Sequence, residues 1–385
     1  MKIVIAPDSF KESLTALEVA EAIEQGFKQE LPDAQYIKVP MADGGEGTVQ
    51  AMVDATQGSI IKVNVSGPLG DNVEAFYGLI CDEAGANDEK TAVIEMAAAS
   101  GLHHVQPELR NPLVTTSFGT GELIKHALDN GVTKIILGLG GSATNDAGVG
   151  MLQALGAKFF DANDQVVAQG GLVLRNISSI DTSNLHPGID NCQFLVACDV
   201  DNPLCGERGA SAVFGPQKGA TELMVEQLDA ALANFARVTA AHLNQQHDVA
   251  SLAGSGAAGG MGYGVMSYLN GTLSPGVKIV TQTVNLASYC KGADLVITGE
   301  GRLDGQTVYG KTPMGVLEVA NQLNVPTIAI AGCLGDNAEA IKSQGAKAIF
   351  AVVNQLAPLE TVLAQAKHNL VTTSANIAAT LKLNV

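Results

Sequence analysis

Five polar or glycine-rich stretches each follow a short apolar run, and they hold most of the side chains able to do chemistry. APDSFKES (6–13) carries Asp8, Ser9 and Lys11. MADGGEGT (41–48) sets Asp43 and Glu46 among Gly44, Gly45 and Gly47. GLGGSATNDAG (138–148) follows the β-branched run VTKIIL and gathers Gly140, Gly141, Ser142, Asn145 and Asp146. LVACDVDNPLCG (195–206) leaves a strand with Asp199 and Asp201, and LVITGEGRLDGQTVYGKTP (295–313) brings Glu300, Arg302, Asp304 and Lys311 into one loop.

Each stretch has a functional reading beside a plain one. Lys11, placed in the first turn of a helix, opposes the helix dipole, and a bound anion would offset that cost. The plain reading there is a helix capped by Asp8 or Ser13. The three glycines of 41–48 exceed what a turn needs, so Asp43 and Glu46 are expected to meet a metal or a substrate hydroxyl. The glycines of 138–148 can present N–H groups to phosphate, with Asn145 and Asp146 holding Mg²⁺ or water. A tight capped turn would look the same. Asp199 reads as a base or metal ligand, or as part of an Asp–Asn–Pro turn. Lys218 in FGPQKG (214–219) is an anion contact or a solvated turn lysine. GSGAAGGMGYG (254–264) suggests close packing or a hinge.

None of the seven histidines lies in these loops, and HExxH and GxSxG are missing from the sequence. Carboxylates, glycines and a few cations remain, which suits phosphoryl transfer by positioning and charge neutralisation. An alternative stays open. VTKIIL-GLGGSA followed by MLQALGAKFF fits a strand, a dinucleotide fingerprint, a helix and a second strand, with Asp161 as the ribose-binding acid. That reading makes the protein an NAD-dependent dehydrogenase using 138–161.

Composition narrows the classes. A length of 385 residues suits two domains. A net charge of −17 argues against nucleic acid as a partner and makes each of the five arginines informative. The six cysteines form no CxxC pair and read as reduced thiols. MKIVIAPDSF reads as a strand rather than a leader peptide, and no apolar run reaches the ~18 residues a membrane span needs. The expectation is a cytoplasmic protein with no membrane partner, either monomer or homodimer.

The elements that must position these loops form an α/β pattern. Strands are expected at 2–6, 35–40, 293–299, 326–332 and 348–353, with helices over 13–31, 47–55, 313–323, 336–344 and 359–382. Ser13 or Thr15 is expected to cap the first helix, Glu18 completing a capping box with Thr15. Continuous apolar strands separated by helices predict a parallel sheet covered on both faces. The alternating runs IIKVNVSG, EAFYGLI and TAVIEM predict a mixed sheet in the middle. The proposed division is 1–59 with 281–385 as one domain and 60–280 as an inserted α/β domain.

Nine stretches in order, APDSFKES, ADGGEGT, IEMAAASGL, TTSFGTGEL, GLGGSATNDAG, ACDVDNPLCG, FGPQKGA, GAAGGMG and ITGEGRLDGQT, closely resemble the bacterial glycerate kinase type 1 family. The likeness runs from about residue 1 to 380. It implies ATP-dependent phosphorylation of D-glycerate with Mg²⁺, the 2-hydroxyl favoured and the 3-hydroxyl the alternative. It also implies a flavodoxin-like domain from both chain ends and an inserted α/β domain, with a cleft between them; because the candidate loops lie in both domains, the cleft is expected to close on the substrates. On this resemblance 138–148 reads as a kinase loop and Asp161 as a turn acid. Lys11, Asp199 and Arg302 are expected to carry catalysis. Asp8, Ser9, Asp43, Gly44, Gly45, Gly140, Gly141, Ser142, Glu300, Asp304 and Lys311 would bind substrate or nucleotide, and Asn145 and Asp146 the metal.

Overall fold

The computed structural model describes residues 1–81 and 89–383, without the side chain of Cys81. Cys192, Cys198, Cys205, Cys290 and Cys333 are free thiols. The chain forms two compact units, residues 1–43, 50–58 and 275–385 in the first, and 44–49 with 59–274 in the second. Among the described residues, no helix is long and apolar enough to cross a membrane.

The first unit is built on five parallel strands, in the order Ala348–Ala351, Thr327–Ala331, Leu295–Gly299, Lys2–Pro7, Gln35–Lys38. This is the flavodoxin-like order, whose switch point falls between Lys2–Pro7 and Leu295–Gly299. Both faces of the sheet are covered, as its continuous apolar strands require. Ile3, Ile5, Ile297 and Ile330 pack with Val19, Ile23, Phe27 and Leu370, while Ala329 and Ala331 pack with Met314, Leu317 and Ile341. Helix Ala16–Glu30 starts at Thr15, where Glu18 completes the capping box. Helix Ala366–Leu381 lies against it so closely that a Cβ on Gly26 would come 2.4 Å from the carbonyl oxygen of Val371.

Two expected helices differ. The one near 336–344 shrinks to Ala340–Ser343, because 335–337 turns back to bond Gly305 and holds Asn337 at φ 57°. The last one divides at Gln365 into Leu359–Ala364 and Ala366–Leu381.

The second unit carries a mixed six-stranded sheet, as the alternating runs predict. Its order is Thr272–Ser274, Gln193–Ala197, Lys134–Gly138, Lys90–Glu95, Asn72–Cys81, Ser59–Ser66. The first four strands are mutually parallel and the last two join antiparallel.

This topology tells against the dinucleotide reading. Strand Lys158–Phe160 pairs antiparallel with Ser179–Asp181 in a separate two-stranded sheet, so it does not complete a parallel unit with Lys134–Gly138. The intervening helix, Val149–Ala154, has only six residues. Asp161 accepts from the backbone N–H groups of Asn163 and Gln165 and so closes a turn.

Candidate active site

In the first unit the switch point places two acids side by side. Pro7 and Gly299 are register partners, and the next residues are Asp8 and Glu300. The Asp8 N–H donates to the Gly299 carbonyl at 2.8 Å. Open α/β sheets bind their ligands at this position, outside the carboxyl ends of the strands.

Both acids are held by hydroxyls. Asp8 Oδ1 accepts from Ser9 N (2.6 Å) and Ser9 Oγ (3.2 Å), and its Oδ2 accepts from Thr312 Oγ1 at 2.5 Å. Burial pushes the Asp8 carboxyl up to about 6; the Thr312 hydrogen bond opposes this and the charge of Asp43 adds to it. Glu300 Oε1 accepts from Thr307 Oγ1 at 2.5 Å, and Lys311 Nζ lies 3.8 Å from Oε2. Burial raises Glu300 to about 7; Thr307 and Lys311 oppose the shift while Asp8 and Asp304 reinforce it.

The cations of the first unit are more open. Arg302 sits on the short strand Arg302–Leu303, which pairs with Cys333–Leu334. Its side chain is 65% exposed, with Nε 3.3 Å from Asp304 Oδ2. Lys11 is exposed in a turn closed by reciprocal backbone bonds of Phe10 and Leu14. It is therefore not in the first turn of the helix as expected, because the Thr15–Glu18 box fixes the start further along. The backbone of 301 passes this turn, with a Cβ on Gly301 falling 3.4 Å from Lys11 N. Asp8, Ser9, Asp43, Glu300, Asp304 and Lys311 are thus linked by bonds or charge, with Lys11 and Arg302 on the adjoining loops.

The second unit builds its site on the glycine loop. Gly140 and Gly141 are exposed at its tip, while Ser142, Asn145 and Asp146 are buried. Gly44 and Gly45 lie against it: a Cβ on Gly138 would meet Gly44 O at 2.8 Å, and one on Gly140 would meet Gly45 Cα at 3.7 Å. From beneath, Gly259 (φ 66°) packs so closely that a Cβ there would fall 2.1 Å from Thr144 O. The 254–264 glycines thus serve close packing. Asp199 is exposed beyond strand Gln193–Ala197, whose Ala197 pairs with Gly138. It leaves the sheet at the same carboxyl end of the parallel strands as the glycine loop.

Asn145 and Asp146 differ in what they can offer a metal. Asp146 accepts from Ser117 N and Oγ (both 2.8 Å), Gly148 N (3.2 Å) and Gly150 N (3.3 Å). These donors stand at the starts of helices Phe118–Asp129 and Val149–Ala154, so the carboxylate faces two helix N-termini. Burial still raises its pKa. Such contacts favour an internal anchor over a metal ligand. Asn145 Nδ2 donates to Ser211 Oγ at 3.0 Å, whereas its Oδ1 is buried with no partner. Among the described residues no three His, Cys, Asp or Glu side chains form a metal-holding group.

Lys218 belongs to this loop as well. It is 2% exposed, and Nζ donates to Ser142 Oγ (2.8 Å) and Thr144 O (2.6 Å). Burial pulls its pKa down to about 7, against the opposing charge of Asp146.

The profile of the glycerate kinase family matches residues 3–382. A glycerate kinase of Haemophilus influenzae is 57% identical over 381 residues, covering 99% of each chain. A glycerate 2-kinase of Escherichia coli K12 is 51% identical over 385 residues, covering 100% of this chain and 99% of its own. The crystal structure of a putative glycerate kinase 2 from Salmonella typhimurium LT2 superposes with a TM-score of 0.89 at 54% identity, covering 99% of this chain and 98% of that one. With the family profile matched across residues 3–382 and relatives 51–57% identical over the full length, the chain belongs to the glycerate kinase family.

Proposed function

We propose that this chain transfers the γ-phosphoryl group of ATP to the 2-hydroxyl of D-glycerate, with Mg²⁺ as cofactor. The full-length match to the family carries this reading, and the 51% identical relative named glycerate 2-kinase supports the choice of hydroxyl.

In this mechanism the exposed backbone of Gly140 and Gly141 receives phosphate oxygens, as glycine loops do. Lys11 and Arg302 meet anionic groups of the substrates, Arg302 through the paired donors of its guanidinium. Ser9, Asp43, Gly44, Gly45, Asp304 and Lys311 orient the bound molecules. The attacking hydroxyl must release a proton, and a carboxylate poised near neutrality serves best. Asp8 meets that condition at about 6 and is fixed by Ser9 and Thr312. Asp199, exposed beside the glycine loop, is the second candidate for the same task.

Mg²⁺ is usually held by one or two protein oxygens together with substrate phosphates and water. The unpartnered Asn145 Oδ1 fits that need, while Asp146 is committed to its four donors. When bound, such an ion would supply positive charge that offsets the negative charge of the phosphates.

Proton-coupled phosphorus NMR of the product tests the proposal. A 2-ester splits into a doublet from its single neighbouring proton and a 3-ester into a triplet. A triplet overturns the regiochemistry, and no ester at all overturns the function.

A further inference from the structure

We infer that Lys218 is a positioning residue for phosphate binding: it clamps Ser142 and Thr144 from inside the glycine loop and places a positive charge beneath it. The inference rests on the kinase reading above and deepens it. Lys218 ends a short turn of helix, Pro216–Lys218, and turns inward to the loop rather than out to water. Its two bonds reach one side chain and one carbonyl two residues apart, which fixes the loop just after the exposed Gly140–Gly141 tip.

Stability alone does not explain a lysine here. Burying an ammonium is costly, and an apolar side chain of similar volume often serves a core as well or better. Asp146, the acid whose charge favours the ammonium, already accepts four hydrogen bonds. The same turn also contains two buried polar atoms without partners, Thr144 Oγ1 and Asn145 Oδ1. A loop with an internal cation and unsatisfied oxygens is completed by an anion together with its hydration or counter-ion. The γ- and β-phosphates of a nucleotide supply that chemistry; the single carboxylate of glycerate supplies less of it.

The test compares wild type, Lys218→Met and Ser142→Ala by calorimetric titration with ADP, alongside separate KM values for ATP and glycerate and thermal melting. Lys218→Met is expected to weaken ADP binding about tenfold or more, the loss of a charge-assisted contact. Ser142→Ala should shift it in the same direction by less, with the glycerate KM within about twofold in both. Should Lys218→Met not fold, Ser142→Ala carries the comparison, since it removes one clamp contact and adds no bulk. ADP affinity unchanged in the folded variants overturns the inference. So does a parallel loss for ADP and glycerate that tracks a lower melting temperature, the mark of a purely structural lysine. Wild-type protein that binds ADP through Lys218 but phosphorylates no glycerate would overturn the kinase reading and leave the clamp standing.

Discussion

Asp8 and Glu300 leave neighbouring parallel strands one residue past a register pair, and the Asp8 N–H is bonded to the carbonyl directly before Glu300. Two acids so placed resist ionising together. Each is held above its ordinary range chiefly by burial, and the charge of Asp8 raises Glu300 further, as that of Asp43 raises Asp8.

That pairing has a thermodynamic sign. The folded values, about 6 for Asp8 and about 7 for Glu300, lie above the ordinary 3.8 and 4.5. Their stabilising contribution is therefore fully present below the unfolded values and is lost as pH rises through the folded ones. Asp8→Asn has no such proton to lose. Its melting temperature relative to wild type should be more favourable near neutral pH than near ~pH 4. A difference that is flat across this range would show that Asp8 is not held protonated by the fold.

The same variant separates the two candidate bases. If Asp8 takes the hydroxyl proton, Asp8→Asn should lower kcat about 100-fold or more, the usual worth of a general base. Asp199→Asn should then cost much less, and ADP should bind both variants normally. The reverse order of losses assigns the proton to Asp199.

Arg302→Lys keeps the charge and removes the planar fork. If the guanidinium pairs with the glycerate carboxylate, the glycerate KM should rise about tenfold, or roughly 1.4 kcal/mol, with little change for ATP. A fall in kcat at constant KM would move Arg302 to the transferring phosphoryl group.

Asp146→Asn puts an N–H where four donors now converge. We expect a loss of about 2 kcal/mol or more in denaturant unfolding, with no rescue of activity by added Mg²⁺. Full stability combined with rescue by Mg²⁺ would restore Asp146 as a metal ligand.

What the sequence conveys is the local and the periodic. The Thr15–Glu18 box, the buried strands of the first unit and the alternation of 59–95 are all readable, because each depends on residues close in the chain. Neighbours across the sheet are not. Nothing near residue 8 says that residue 300 lies beside it, since that follows from strand order. Lys218 is harder still. A lysine among Pro216, Gly215 and Gly219 has the composition of a solvated turn, and only the packed loop reveals its inward course. Lys11 fails for the opposite reason, a local rule applied four residues too early, because the real cap at Thr15 leaves it in the preceding turn.

The intimate fit of helix Ala366–Leu381 on helix Ala16–Glu30 bears on how the protein is made. The second unit is nearly contiguous, so its sheet can be assembled as soon as Ser274 has left the ribosome. Strand Lys2–Pro7, synthesised before the second unit, must wait for Leu295–Gly299 before its inner edge is paired, and helix Ala16–Glu30 waits longer for its partner. During translation this segment is thus made before the second unit and sheltered only after it, with an unpaired apolar strand edge of the kind that invites aggregation and chaperone capture. A segment made before the second unit depends for its cover on segments made after it.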